Sequence, residues 1–146
     1  MTVTDEEKLA QIRASRTAVA NARASRSALQ AIKDEIEAEE QALVDEQALD
    51  KAEQEIGPIG KKIMVVETPV GSIIVKRANH LVFKKFQDMQ SLKTADLEKL
   101  VRPCIVHPEA SKVDRIFEDL PATLVRVANA VSTLAGARAE EVSGKS

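Results

Sequence analysis

The fold is decided by residues 1–56, MTVTDEEKLAQIRASRTAVANARASRSALQAIKDEIEAEEQALVDEQALDKAEQEI, which contain no glycine and no proline. Their alanine, glutamate, glutamine and arginine residues are good helix formers. Thr4 followed by Glu7 fits a capping box at the start of a helix, and the Gly57-Pro58-Ile59-Gly60 segment would end it. Such a helix would be roughly 75 Å long at about 1.5 Å per residue. The stretch therefore predicts an extended helical or coiled-coil arm.

A thin apolar seam runs along this predicted helix, at alternating spacings of three and four residues. It consists of Ala18, Ala22, Leu29, Ile32, Ile36 and Leu43. Ser25 and Glu39 interrupt the same series, so the seam would pack only weakly against another helix. A solvated helix, a partly disordered tail and a hairpin broken within the stretch all remain open as alternatives.

Charge is segregated along the arm, which is basic after Glu7 and then acidic apart from Lys51. The basic residues are Lys8, Arg13, Arg16, Arg23, Arg26 and Lys33. The acidic residues are Asp34, Glu35, Glu37, Glu39, Glu40, Asp45, Glu46, Asp50, Glu53 and Glu55. Two antiparallel copies would place opposite charges next to each other. The same charge pattern would also attract and orient a helical partner of complementary charge. The alternative is a solvated surface whose exposed ion pairs contribute little.

Apolar spacing and charge together predict one set of partner-binding residues. The set is Arg13, Arg16, Arg23, Arg26, Leu29, Ile32, Ile36 and Leu43. Association of two copies through the arm is a further possibility. Nucleic-acid binding is disfavoured because the acidic stretch would repel the phosphate backbone. The chain also has no Trp, no Tyr and only three Phe, too few for the aromatic platforms on which bases stack.

The second half of the chain has a different pattern. Two β-branched runs at residues 63–68 and 72–77 flank Pro69-Val70-Gly71, which predicts a β-hairpin. Four amphipathic patterns follow and predict a compact bundle of about four short helices. Pro103 should kink or end the second of these helices. His107-Pro108 is interpreted as a loop that leads into the third.

The predicted fold class is mostly α, with a β-hairpin that makes it α+β. The predicted organisation is an extended helical arm at 1–56, a linker at 57–62, a compact domain at 63–136 and a flexible tail at 137–146.

No group of residues in the sequence points to catalysis. Cys104 could act with His80 or His107, but it lies on the apolar face of its helical pattern, where a cysteine usually packs as a small hydrophobic side chain. A zinc site would need carboxylate ligands at a spacing that the sequence does not offer. The glycines at 57–62 lack the spacing and the Ser or Thr of a phosphate loop. We expect no catalytic residue, cofactor, metal or enzyme activity.

Composition favours a protein of the cytoplasm. The formal charge is -2, from 21 basic and 23 acidic side chains, so no strong overall field recruits nucleic acid or membrane. No run of apolar residues is long enough to span a bilayer. The acidic amino terminus does not fit a signal peptide, and one cysteine cannot form an internal disulfide.

Residues 63–136 resemble small phage proteins of the tail-assembly chaperone type. The hairpin is followed by Val-Phe-Lys-Lys-Phe (82–86), and then by Leu-Glu-Lys-Leu-Val-Arg-Pro-Cys-Ile-Val-His-Pro (97–108). Val-Asp-Arg-Ile-Phe-Glu-Asp-Leu-Pro (113–121) and a last apolar helix ending in Leu-Ala-Gly (134–136) complete the pattern. The resemblance implies a non-enzymatic assembly chaperone that binds a tape-measure-like protein in the bacterial host cytoplasm. A permanent virion or scaffold component, whose arm contacts neighbouring subunits, is the alternative.

Overall fold

The computed structural model describes residues 4–89 and 93–136. The flexible tail predicted at 137–146 lies outside these residues. The fold is mostly helical, with one long helix, a three-stranded antiparallel sheet and four short helices among the described residues. This architecture confirms the predicted fold class.

The predicted arm is one continuous helix, α1, which spans Asp5–Glu55. The Thr4 hydroxyl accepts a hydrogen bond of 3.2 Å from the backbone N–H of Glu7, as the predicted N-cap requires. Beyond Glu55, the backbone N–H groups of Ile56 and Gly57 both donate to the Ala52 carbonyl. Gly57 has φ +147°, a conformation that favours glycine and stops the helix. A hairpin within residues 5–55 is therefore not formed.

The chain divides into two compact units, residues 1–40 and 41–146. The sequence predicts the boundary at the linker of residues 57–62. Residues 41–55 of α1 belong to the second unit, and two of them, Asp45 and Ala52, are buried. Because Ala48 and Leu49 also pack against the buried cluster there, this part of the helix belongs to the compact unit.

The sheet has the order β1-β2-β3, with both neighbouring pairs antiparallel. Strand β1 is Ile63–Thr68 and β2 is Gly71–Lys76, so Pro69 and Val70 form the turn of the predicted hairpin. Strand β3 is Ile105–His107 and pairs with β2. His107, which the sequence interpretation assigned with Pro108 to a loop, is instead the last residue of β3. Three residues carry too little alternation to signal a strand, and β3 is specified by its pairing with β2.

The two faces of the sheet pack against different elements. Ile63 and Ile74 are fully buried with Ala52 of α1 on one face. Val66, Ile73 and Val75 point to the other face and join the main core, which the short helices complete. This alternation is the period-two pattern expected of strands buried on both faces.

Four short helices follow the hairpin, as predicted. They are α2 (His80–Gln87), α3 (Thr94–Val101), α4 (Ala110–Asp119) and α5 (Ala122–Leu134). Helix α3 ends at Val101 and gives way to a 3₁₀ turn at Arg102–Cys104, so Pro103 ends the helix as predicted.

Limited proteolysis should locate the start of the second unit. Trypsin should cut the exposed part of α1 up to Lys33 and leave a resistant fragment that begins at Asp34, because residues around Lys51 are held by buried neighbours. Mass spectrometry of the fragment, at a protein concentration low enough to prevent self-association, checks this. Equally rapid cleavage at Lys51 would contradict the packing of residues 41–55.

Candidate protein-binding surface

The first unit exposes every residue that the structure describes in it, from 4 to 40. Among them are six large aliphatic side chains with exposed fractions of 47% to 57%. They are Leu9, Ile12, Val19, Leu29, Ile32 and Ile36. A helix that places so many aliphatic side chains in water gains little stability from its own packing, and contiguous exposed apolar surface commonly marks a binding site.

These side chains form two separate faces of α1. At roughly 100° per residue, Leu9, Ile12 and Val19 fall within an arc of roughly 80° around the helix axis, here called the N face. Leu29, Ile32 and Ile36 fall within roughly 60°, here called the C face. The centres of the two arcs are about 150° apart.

The charges beside the two faces are opposite in sign. Arg16 and Arg23 lie within the arc of the N face, and together with Ile12 and Val19 they line an open depression on the helix. Arg26 and Arg13 lie just outside that arc, one on each side.

Carboxylates border the C face. Glu39 and Glu40 lie on either side of it, each roughly 20° beyond its edge, and the nearest cation, Lys33, lies roughly 40° beyond it. Each apolar face of the first unit is therefore accompanied mainly by charge of one sign, with Asp5 in the arc of the N face and Lys33 beside the C face as exceptions.

The predicted partner-binding residues are consequently not one site. Arg16 and Arg23 lie within the N face and Arg13 and Arg26 lie beside it, whereas Leu29, Ile32 and Ile36 form the C face. Leu43 belongs to the second unit, where it is 56% exposed. Sequence reasoning missed Leu9, Ile12 and Val19 because it followed a single seam, although their own spacings of three and seven residues already indicated a second stripe. Partner binding by these residues remains a prediction.

A polar network around Asp45 lies within the second unit. The Asp45 carboxylate accepts hydrogen bonds from Gln41 Nε2 at 2.8 Å, from His107 Nε2 at 2.9 Å and from the Ser72 backbone N–H at 3.0 Å. Lys112 Nζ of α4 donates in turn to Gln41 Oε1. The network thereby connects α1 to β2, β3 and α4.

The environment of Asp45 favours its ionised form. Burial raises the pKa of the carboxyl, but hydrogen bonds from His107, Ser72 and Gln41, with the charge of His107, outweigh burial and hold the pKa below its ordinary value of 3.8. Both carboxylate oxygens already accept hydrogen bonds. The network is therefore an anchor that fixes residues 41–55 to the sheet.

Cys104 is buried, as the sequence predicted. Its thiol donates to the Leu100 carbonyl at 3.4 Å. Burial raises the pKa of the thiol, although the charge of Lys76 lowers it in part, and a thiol held in this way is a poor nucleophile. Within residues 4–89 and 93–136, no cluster of three or more His, Cys, Asp and Glu side chains is arranged to hold a metal ion.

The second unit also exposes apolar side chains. Leu81 and Val82 of α2 are 74% and 44% exposed, and Val125 of α5 is 52% exposed. These residues are a competing candidate surface and provide matched controls for substitutions in α1.

Comparison with protein-family models, with curated proteins and with solved structures gave no match. Among the residues that the structure describes, no helix combines the length and the apolar character needed to cross a membrane.

Proposed function

We propose that this protein is a non-enzymatic binding factor that docks a helical protein partner on the exposed faces of α1. The observation that carries the proposal is the exposure of all six large aliphatic side chains in residues 5–40. Burying the remaining exposed part of each would contribute about 1 kcal/mol. Arg16, Arg23, Glu39 and Glu40 beside these side chains would set the register and the choice of partner.

The resemblance of residues 63–136 to tail-assembly chaperones supports a more specific role. In that role the protein binds a tape-measure-like protein during tail assembly in the cytoplasm of a bacterial host, and it leaves before the particle is complete. A helical partner with its own apolar stripe suits the two faces of α1, because helices commonly recognise one another through apolar residues three and four positions apart.

Co-purification of the tagged full-length protein from its native source tests the proposal. We expect one helical protein to be retained by the wild type, and to be lost when Leu29, Ile32 and Ile36 are replaced by Gln together with Leu9, Ile12 and Val19. Glutamine keeps the helix propensity of the segment while removing the apolar surface. Mass spectrometry identifies the retained protein.

A matched variant removes apolar surface elsewhere. Replacing Leu81, Val82 and Val125 by Gln should leave partner retention unchanged. Loss of the partner in this control, with retention in the α1 variant, would place the binding surface in the second unit and overturn the proposal. An inventory of purified particles tests the chaperone role, because a chaperone is absent from them and a permanent structural component is present.

A further inference from the structure

We propose that copies of this chain associate with one another through α1, with the helices parallel and the N face of one copy packed on the C face of the next. This inference goes beyond the proposed function and does not rest on the resemblance to phage proteins. It follows from the apolar content, the charges and the angular separation of the two faces within residues 5–40.

The apolar content of the two faces is matched. Each face presents three aliphatic side chains, and in each face two of them are three residues apart. All six are about half exposed in the structure. Side chains three and four positions apart on one helix are neighbours, so each face offers a short ridge that can pack into the groove of another helix.

Charge selects the pairing of unlike faces among helices that run parallel, because Arg16 and Arg23 of the N face and Glu39 and Glu40 of the C face lie towards or beyond the carboxyl end of their face. In a parallel pair, an N face on a C face brings Arg16 and Arg23 of one copy towards Glu39 and Glu40 of the other. Two N faces in a parallel pair would instead bring four guanidinium groups together, and two C faces would bring together four carboxylates. Opposite charges at an interface favour the correct pairing and like charges oppose the wrong one.

The angular separation of the faces determines what the assembly looks like. A C2 dimer uses the same patch on both subunits, whereas contact between two different patches is heterologous. Because the N and C faces point about 150° apart around the helix axis, two copies lying side by side cannot form both contacts at once. However many copies have joined, the assembly keeps one uncovered N face at one end and one uncovered C face at the other. Association therefore continues beyond a dimer into a ring or an open chain.

The same faces would serve the helical partner of the proposed function. A partner helix and a second copy would then compete, and a partner that covers either face would end the growth of the assembly. Self-association would hold the aliphatic side chains out of water until a partner is present.

Sedimentation velocity of the full-length protein tests the inference through complementation. The N-face variant carries Leu9→Gln, Ile12→Gln and Val19→Gln, and the C-face variant carries Leu29→Gln, Ile32→Gln and Ile36→Gln. We expect the average mass of the wild type to rise past two copies with concentration and to fall with added salt. Each variant alone should be monomeric. Their equimolar mixture should form a 1:1 dimer that does not grow further, since only one intact pair of faces remains.

A second pair of variants keeps the apolar side chains and reverses the charges. Arg16→Glu with Arg23→Glu, and separately Glu39→Arg with Glu40→Arg, should each weaken self-association at least tenfold. Mixing the two should restore it, because each altered face then meets a face of opposite sign. Circular dichroism confirms that the variants keep their helix content, and the Leu81, Val82 and Val125 control should associate as the wild type does.

Three results would overturn the inference. They are a wild type that stays monomeric or stops at a dimer at the highest attainable concentration, a face variant that associates as strongly as the wild type, and a mixture of face variants that forms no 1:1 complex. None of these results bears on the proposed function, which is tested by partner retention. A failure to retain any helical partner, in a protein that still self-associates, would contradict the proposed function and leave this inference standing.

Discussion

Replacing Asp45 by alanine should destabilise the second unit by about 2–4 kcal/mol, because up to three partly buried donors lose their acceptor and an unsatisfied buried donor costs about 1–3 kcal/mol. The Ser72 backbone N–H, the Gln41 amide and the His107 ring are those donors. Urea denaturation measures the loss as a lower midpoint. Amide hydrogen exchange at Ser72 reports the local effect and should accelerate at least tenfold.

A matched control exists on the same helix. Asp50 accepts a hydrogen bond of 3.0 Å from Gln54 Nε2, and this pair is exposed to solvent. Asp50→Ala should change the stability by less than about 0.5 kcal/mol, as substitutions at exposed positions usually do. Equal effects of Asp45→Ala and Asp50→Ala would show that the network contributes nothing beyond an ordinary pair on a helix surface.

The charge of Asp45 adds a dependence on pH. Its folded-state pKa lies below the ordinary value of 3.8, so the ionised carboxylate stabilises the fold above that pH. This contribution is lost as the pH falls through the folded-state pKa, where the carboxyl becomes protonated. The stability difference between the wild type and Asp45→Asn should therefore shrink as the pH falls below 3.8. A difference that grows below that pH would contradict this assignment.

The elements that the sequence could predict are those with strong local signals. Helix α1 has a capping threonine and a terminating glycine, the hairpin has β-branched runs around a short turn, and the four short helices have amphipathic spacing. Strand β3 has no such signal, because its three residues become a strand only by pairing with β2.

The Asp45 network could not be predicted for a related reason. Asp45 stands in an acidic run in which its charge does not distinguish it from Glu46 or Asp50. Its partners Ser72 and His107 are 27 and 62 residues away in the sequence. The indication that was available is the spacing of Asp45, Ala48 and Ala52, which places an acid and two small side chains on one face of the helix.

Introducing a charge at Ala52 should be the most disruptive substitution on α1. Ala52 is 2% exposed and packs with Ile63 and Ile74, both fully buried, on the α1 face of the sheet. In Ala52→Glu, a larger side chain costs about 1–3 kcal/mol through overpacking, and an unpaired carboxylate in an apolar cluster costs several kcal/mol more unless it takes up a proton. We expect a loss of at least about 3 kcal/mol.

The predicted consequence of Ala52→Glu is release of residues 41–55 from the sheet, rather than loss of helix alone. Ile63 and Ile74 would become exposed to solvent on the α1 face of the sheet. The backbone N–H of Ser72 would lose its hydrogen bond to Asp45 and would exchange faster with solvent. Trypsin should then cut at Lys51 as readily as at Lys33. Ala24→Glu is the matched control, since Ala24 is exposed on the same helix and should tolerate glutamate within about 0.5 kcal/mol. If the two variants are equally stable, Ala52 does not hold the helix to the sheet, and the division of α1 between the two units has another cause.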